Sequence, residues 1–111
     1  MAPVYRVILV RYKSDVDAAA KERIARGYLA LAQQCTHERD GKPYFTVVGG
    51  TNNSQEGLSG AMEQAFVVTF RSTQDRDYFI HHDLVRAKYR DQIMPSFEEL
   101  RVADFEENVF E

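Results

Sequence analysis

At 111 residues the chain has the length of one ordinary domain, and a core of that size buries about 65% of the surface exposed by the unfolded form. Its 14 Lys and Arg and 17 Asp and Glu are interspersed and sum to a formal charge of -3, which excludes the basic stripe a nucleic-acid backbone demands. No apolar run reaches the length of a membrane span or of a signal h-region, so the expectation is a single domain over residues 1–111, cytoplasmic, with neither nucleic acid nor membrane as partner.

The first predicted strand is Val4 to Lys13, VYRVILVRYK. Tyr5, Val7 and Leu9 fall on one face and Ile8, Val10 and Tyr12 on the other, so neither face reads as wet. Arg6 shares the face of Ile8 and Val10, and its charge has two destinations: the rim of the sheet, or a cavity beneath it.

Ser14 followed by Asp17 has the spacing of a capping box, and the helix it opens is predicted to run to Gln34 or Cys35. Val16, Ala20, Ile24, Tyr28, Leu31 and Cys35 recur at spacings of four and three and line one stripe, which predicts a core-facing side. A phenol at Tyr28 on that stripe needs a polar partner or a wet cavity. Cys35 is the single cysteine and forms no disulfide within the chain; its place on the stripe reads as a small buried hydrophobe, with a reactive thiol as the alternative.

The polar segment His37-Glu38-Arg39-Asp40-Gly41-Lys42-Pro43 leads to a short strand, Tyr44 to Val48. Gly49 to Gly60, GGTNNSQEGLSG, follows neither periodicity and reads as a surface loop in the position of a lid. It has no G-x-G-x-x-G and no trailing Gly-Lys-Ser/Thr, so a phosphate cradle is not predicted. Asn52-Asn53-Ser54 matches a glycosylation acceptor, discounted for want of a secretion signal.

In the next strand Phe66, Val68 and Phe70 alternate with Ala65, Val67 and Thr69, again with apolar groups on both faces. A helix covers one face of such a strand, and a chain this short has little left for the other. A second copy of the chain is the simplest cover, so a homodimer is expected.

Ser72 with Asp75 repeats the Ser-x-x-acid start, and the helix there carries Tyr78, Phe79, Ile80 and His81, with Asp75 and Asp77 complementing its dipole. A break is predicted near His82-Asp83, after which Leu84, Val85, Tyr89 and Ile93 continue an apolar pattern until Pro95 opens a final turn. The last strand is predicted from Leu100 to Phe105, LRVADF, and Glu106 to Glu111 forms an acidic tail. Strand, helix, strand, strand, helix, strand is the ferredoxin-like βαββαβ order: an α+β fold with an antiparallel sheet and helices on one face.

The opening VYRVILVRYK, the loop GGTNNSQEGLSG leading into EQAFVVTF, then DYFIHH, Met94-Pro95 and the closing VADFE together resemble the stress-responsive A/B barrel family, dimeric α+β barrels, over essentially the whole chain. That family includes non-enzymatic stress proteins and a plant olivetolic acid cyclase, which closes a linear polyketide by aldol condensation with a tyrosine and a histidine. The resemblance carries the tyrosine onto Tyr78 and the first histidine of an H-P-x-H pattern onto His81. The second, catalytic histidine falls on Leu84 without a gap, or on Arg86 when counted back from Pro95; two further pocket histidines fall on Arg6 and Gln64. The resemblance thus implies the fold and a pocket more than it implies that reaction.

A pocket between sheet and helices is predicted to be lined by Ile8, Val10, Ile24, Tyr28, Phe66, Val68 and Tyr78, with Arg6 and Gln64 at one end. That lining suits an apolar, aromatic or polyketide-like ligand bearing a carbonyl or carboxylate. His81 or His82 is the candidate base, Tyr78 or Arg6 the group that stabilises an enolate, and Asp77, one helical turn before His81, the group that orients its imidazole. No metal and no cofactor is expected: His81 and His82 point to different sides of a helix, His37 is placed in a distant loop, and no H-x-x-x-H or nucleophile elbow occurs. Two functions stay open, a cofactor-free cyclase or lyase and a ligand-binding or stress-associated dimer without chemistry.

Overall fold

The computed structural model describes residues 2–111. Its elements are β1 (Val4–Tyr12), α1 (Ala18–Gln34), β2 (Phe45–Thr51), β3 (Gln64–Phe70), α2 (Thr73–His81), α3 (Leu84–Ile93) and β4 (Phe97–Glu106), with a 3-10 turn at Met94–Ser96. The strands pair antiparallel in the order β2-β3-β1-β4, the ferredoxin-like α+β arrangement.

Alternation along the central strands divides the sheet into two faces. Val4, Arg6, Ile8, Val10 and Tyr12 of β1 are buried with Phe66, Val68 and Phe70 of β3, on the face that packs with α1 and α2. The register places Tyr5 opposite Phe105, Val7 opposite both Val67 and Ala103, and Val67 opposite Val48 on the other face. No element among the described residues covers that second face: Val48 is 65% and Phe105 48% exposed, and the Tyr5 and Phe105 rings stack on it with centroids 5.2 Å apart.

Helix starts follow side-chain capping, with one correction to the sequence reading. α1 begins a turn later than Ser14 suggests, because Asp17 is the cap and accepts from the Ala20 N–H at 2.8 Å. Ser72 caps α2 by accepting from the Asp75 N–H at 3.2 Å, and Asp83 caps α3 by accepting from the Arg86 N–H at 3.0 Å. The break at His82-Asp83 forms where both of those N–H groups donate to the Tyr78 carbonyl, at 2.8 and 2.9 Å.

Two strands are longer than their apolar patterns. β2 starts at Phe45 rather than Tyr44 and continues through Gly49, Gly50 and Thr51, which pair with Phe66, Ala65 and Gln64. Glycine is a weak strand former, but here it is required: a Cβ on Gly49 would collide with the Phe66 ring. β4 starts at Phe97, directly after the 3-10 turn, and its opening Phe-Glu-Glu pairs with the end of β1, where Arg11 meets Glu99 at 3.2 Å. Cross-strand charge, invisible to a hydrophobic count, extends this edge strand. The remaining loop is anchored at its far end by Glu63, which accepts from the Tyr12 N–H at 2.8 Å and from Lys21 Nζ at 2.5 Å.

Candidate functional site

A cavity of about 70 Å³ lies between the helix-facing side of β1 and β4, α1 and α3. Ile8 and Val10 form its floor with Leu100 and Val102 of β4, Ile24, Tyr28 and Leu31 come from α1, Phe66 from β3, and Ile93, Met94 and Phe97 close the end near Tyr12. The opposite end carries Arg6 and Arg86. Tyr28 packs against Phe66 with ring centroids 5.2 Å apart, which holds the phenol at the cavity wall.

The polar groups at this end are unequally satisfied. Arg6 is buried rather than at the rim and donates through Nε and Nη2 to the two carboxylate oxygens of Asp104, at 2.9 and 3.0 Å. Arg76 reaches the same carboxylate at 3.1 Å. Arg86 lies over the Phe79 ring, 4.7 Å from its centroid, and its hydrogen bond among the described residues is made by its backbone. Burial lowers the pKa of the Arg86 guanidinium and pushes the Tyr28 phenol up to about 12, so Tyr28 is a neutral hydrogen-bond donor at physiological pH.

Six of the sequence candidates, Arg6, Ile8, Val10, Ile24, Tyr28 and Phe66, line this cavity together. Val68 is fully buried in the sheet and Gln64 accepts from the Tyr12 hydroxyl at 2.6 Å; neither lines it. Tyr78, His81 and His82 also lie off its walls, and both histidines are exposed. Asp77 pairs with the guanidinium of Arg76, at 2.7 Å, instead of orienting His81.

Tyr78 belongs to a second cluster, and here the placement of His37 in a distant loop is corrected. The His37 ring stacks on Tyr78 with centroids 4.0 Å apart and meets Tyr44 edge-on at 5.4 Å. Its Nδ1 accepts from the Arg39 N–H at 3.0 Å, while Nε2 faces the buried Asp75 carboxylate at 3.8 Å. Beneath it the Tyr44 hydroxyl donates to buried Asp83 at 2.5 Å, and burial followed by this bond raises the Tyr44 pKa. Burial and the neighbouring Asp83 push the Cys35 thiol up to about 12, the state of an inert thiol. Among the described residues no group of three His, Cys, Asp or Glu side chains is placed to hold a metal ion.

Arg86, His37 and the Tyr44–Asp83 pair are the polar features a residue-by-residue reading missed. Only Arg86 left a signal, its position counted back from Pro95.

The family model described as the stress responsive A/B barrel domain matches residues 4–107. No curated protein matches the sequence. Among solved structures, an Arabidopsis thaliana protein superposes with a TM-score of 0.83 at 21% identity, covering 97% of this chain and 98% of its own. A hydroxynitrile lyase from Passiflora edulis follows with a TM-score of 0.77 at 19% identity, covering 99% and 98%. A dimeric ferredoxin-like protein from Thermobifida fusca gives 0.70 at 14% identity, covering 95% and 91%. At these identities the likeness establishes the fold.

Proposed function

The chain belongs to the stress responsive A/B barrel domain family, and from that premise we propose that it works as a homodimer that binds a small apolar or aromatic molecule, by a carbonyl or carboxylate oxygen, in the chamber under α1 and α3. One observation carries this reading. Inside a cavity walled mainly by aliphatic and aromatic groups, where Arg6 and Arg90 pair with Asp104 and Asp91, the Tyr28 hydroxyl and the Arg86 guanidinium are left without a hydrogen-bond acceptor among the described residues. Apolar pockets with a few convergent polar groups are the usual form of a small-molecule site. At about 70 Å³ the chamber suits a short ligand or the head of a longer one leaving past the half-exposed Val102. The uncovered apolar sheet face supports the dimer, as does the dimeric description of the Thermobifida relative.

A second reading, cofactor-free cyclase or lyase chemistry on a polyketide-like or aromatic substrate, is favoured by a different observation. Tyr78 donates no hydrogen bond from its hydroxyl among the described residues and its ring lies 6.1 Å, centroid to centroid, from His82, which in turn lies 6.4 Å from His81. A phenol and imidazoles so grouped supply an acid and a base without a cofactor. The Passiflora hydroxynitrile lyase shares the fold and lends this class of chemistry a precedent.

Titration of the protein with small aryl ketones, followed by backbone NMR shifts, separates the readings. Shifts clustered on Tyr28, Phe66 and Arg86 support the chamber, and their absence rejects it. Turnover that falls in both Tyr78→Phe and His81→Ala while the dimer persists supports the second reading; unchanged turnover removes those roles.

A further inference from the structure

The charged end of the chamber carries one cation more than the protein neutralises. Arg6 is matched by Asp104 through two hydrogen bonds, and Arg76 shares that carboxylate while also pairing with Asp77. Arg86 makes no ion pair among the described residues; it is held by the Phe79 ring and by its own backbone bond to Asp83. A partly buried guanidinium without a counterion is less favourable than one joined by an anion. Because no fully buried side-chain N or O among the described residues lacks a partner, the unpaired N–H groups of Arg86 are open to an incoming group rather than sealed in the core. Stacking on Phe79 fixes the guanidinium but leaves its N–H edge free, and a guanidinium cannot serve as a base.

We infer that this end of the chamber is an anion seat and that the ligand is an apolar monocarboxylate. Arg86 and the Tyr28 hydroxyl hold its carboxylate, and its hydrocarbon part runs along β1 toward Ile93, Met94 and Phe97. The inference rests on the chamber being the ligand site, as proposed above, and goes beyond it in choosing an anion over a neutral carbonyl. A single free guanidinium matches the charge and planar shape of one carboxylate. A phosphate would bring a second charge, and the other two guanidiniums of the lining are committed elsewhere, Arg6 to Asp104 and Arg90 to Asp91. Away from Arg6 and Arg86 the lining is side-chain hydrocarbon and the Tyr12 ring, apart from Arg90, which is half-exposed and pairs with Asp91 at 3.3 Å, and this sets the direction in which the molecule lies.

The test compares pentanoate with pentanamide, an uncharged molecule of nearly the same shape, by NMR titration of the intact protein. Pentanoate is expected to bind at least about tenfold more tightly than pentanamide, the advantage of a charge-assisted over a neutral hydrogen bond. Arg86→Gln is expected to weaken pentanoate binding at least about tenfold and so erase that preference, and Arg86→Lys to retain part of it. Equal affinity of the unmodified protein for acid and amide overturns the anion seat and leaves the chamber standing, a comparison that needs no variant to fold. Binding of neither molecule overturns the chamber and the seat together.

Discussion

Gly27 of α1 presents bare backbone to the ring of Tyr89 on α3, and the Tyr89 hydroxyl donates to the Ile24 carbonyl at 2.8 Å. A Cβ at Gly27 would overlap that hydroxyl, so the glycine sets how closely the two helices approach above the chamber. Alanine normally improves on glycine in a helix by about 1 kcal/mol. Here the sign reverses: Gly27→Ala is expected to destabilise by about 1–3 kcal/mol through overpacking, and to displace α3 with Arg86 on it. In a Tyr89→Ala background the same substitution regains its ordinary gain. Urea unfolding of the four proteins reads the cycle, and a Gly27→Ala single variant more stable than its parent refutes the packing.

The fold was legible because its signals are local or periodic: the two-sided apolar pattern at Val4–Val10 and Phe66–Phe70, the Ser72 cap and the break before Asp83. What stayed hidden depends on contacts distant in sequence. Gly49 is strand because Phe66 needs the space above it, and Glu98 and Glu99 are strand because β1 offers a partner. The chamber's apolar lining followed from the strand and helix stripes, so Ile8, Val10, Ile24, Tyr28 and Phe66 are found together. His37 reaches Tyr78 across 41 positions of sequence (78 − 37), and no spacing rule links a loop histidine to a helical tyrosine.

Stability is expected to fall in two stages above neutral pH. The Cys35 thiol rises from an ordinary 9.0 to about 12 on folding, and the Tyr12 and Tyr28 phenols from 10.0 to about 12. Burial is the main cause in each, because it disfavours the charged form. These folded-state values are raised, so the unfolded chain releases its protons first: the stabilisation is fully present below the unfolded pKa and is lost as pH climbs toward 12. Cys35→Ala should therefore flatten the decline that begins near 9.0 while leaving the one that begins near 10.0. Denaturation midpoints followed from about pH 8 to about pH 11 check this, and an unchanged early decline in the variant would show that Cys35 ionises freely in the folded state.

The sheet face turned away from the helices decides whether one chain suffices. Tyr5, Val7, Leu9, Val48, Val67 and Phe105 sit side by side on it, with Val67 between Val7 and Val48 across the strand pairings. A stable interface buries on the order of 1,200–2,000 Å² in total, which two faces of four strands packed together can supply. A lysine at Val67 would be forced into the centre of that contact, where an unpaired charge is not tolerated. Val67→Lys is therefore expected to sediment as a single chain, with the unmodified protein at twice that mass. Leu84→Lys serves as the control, because Leu84 is 82% exposed on α3, away from the sheet face, and should leave the dimer intact. An unmodified protein that sediments at the mass of one chain at micromolar concentration would leave this apolar face in water and refute the dimer.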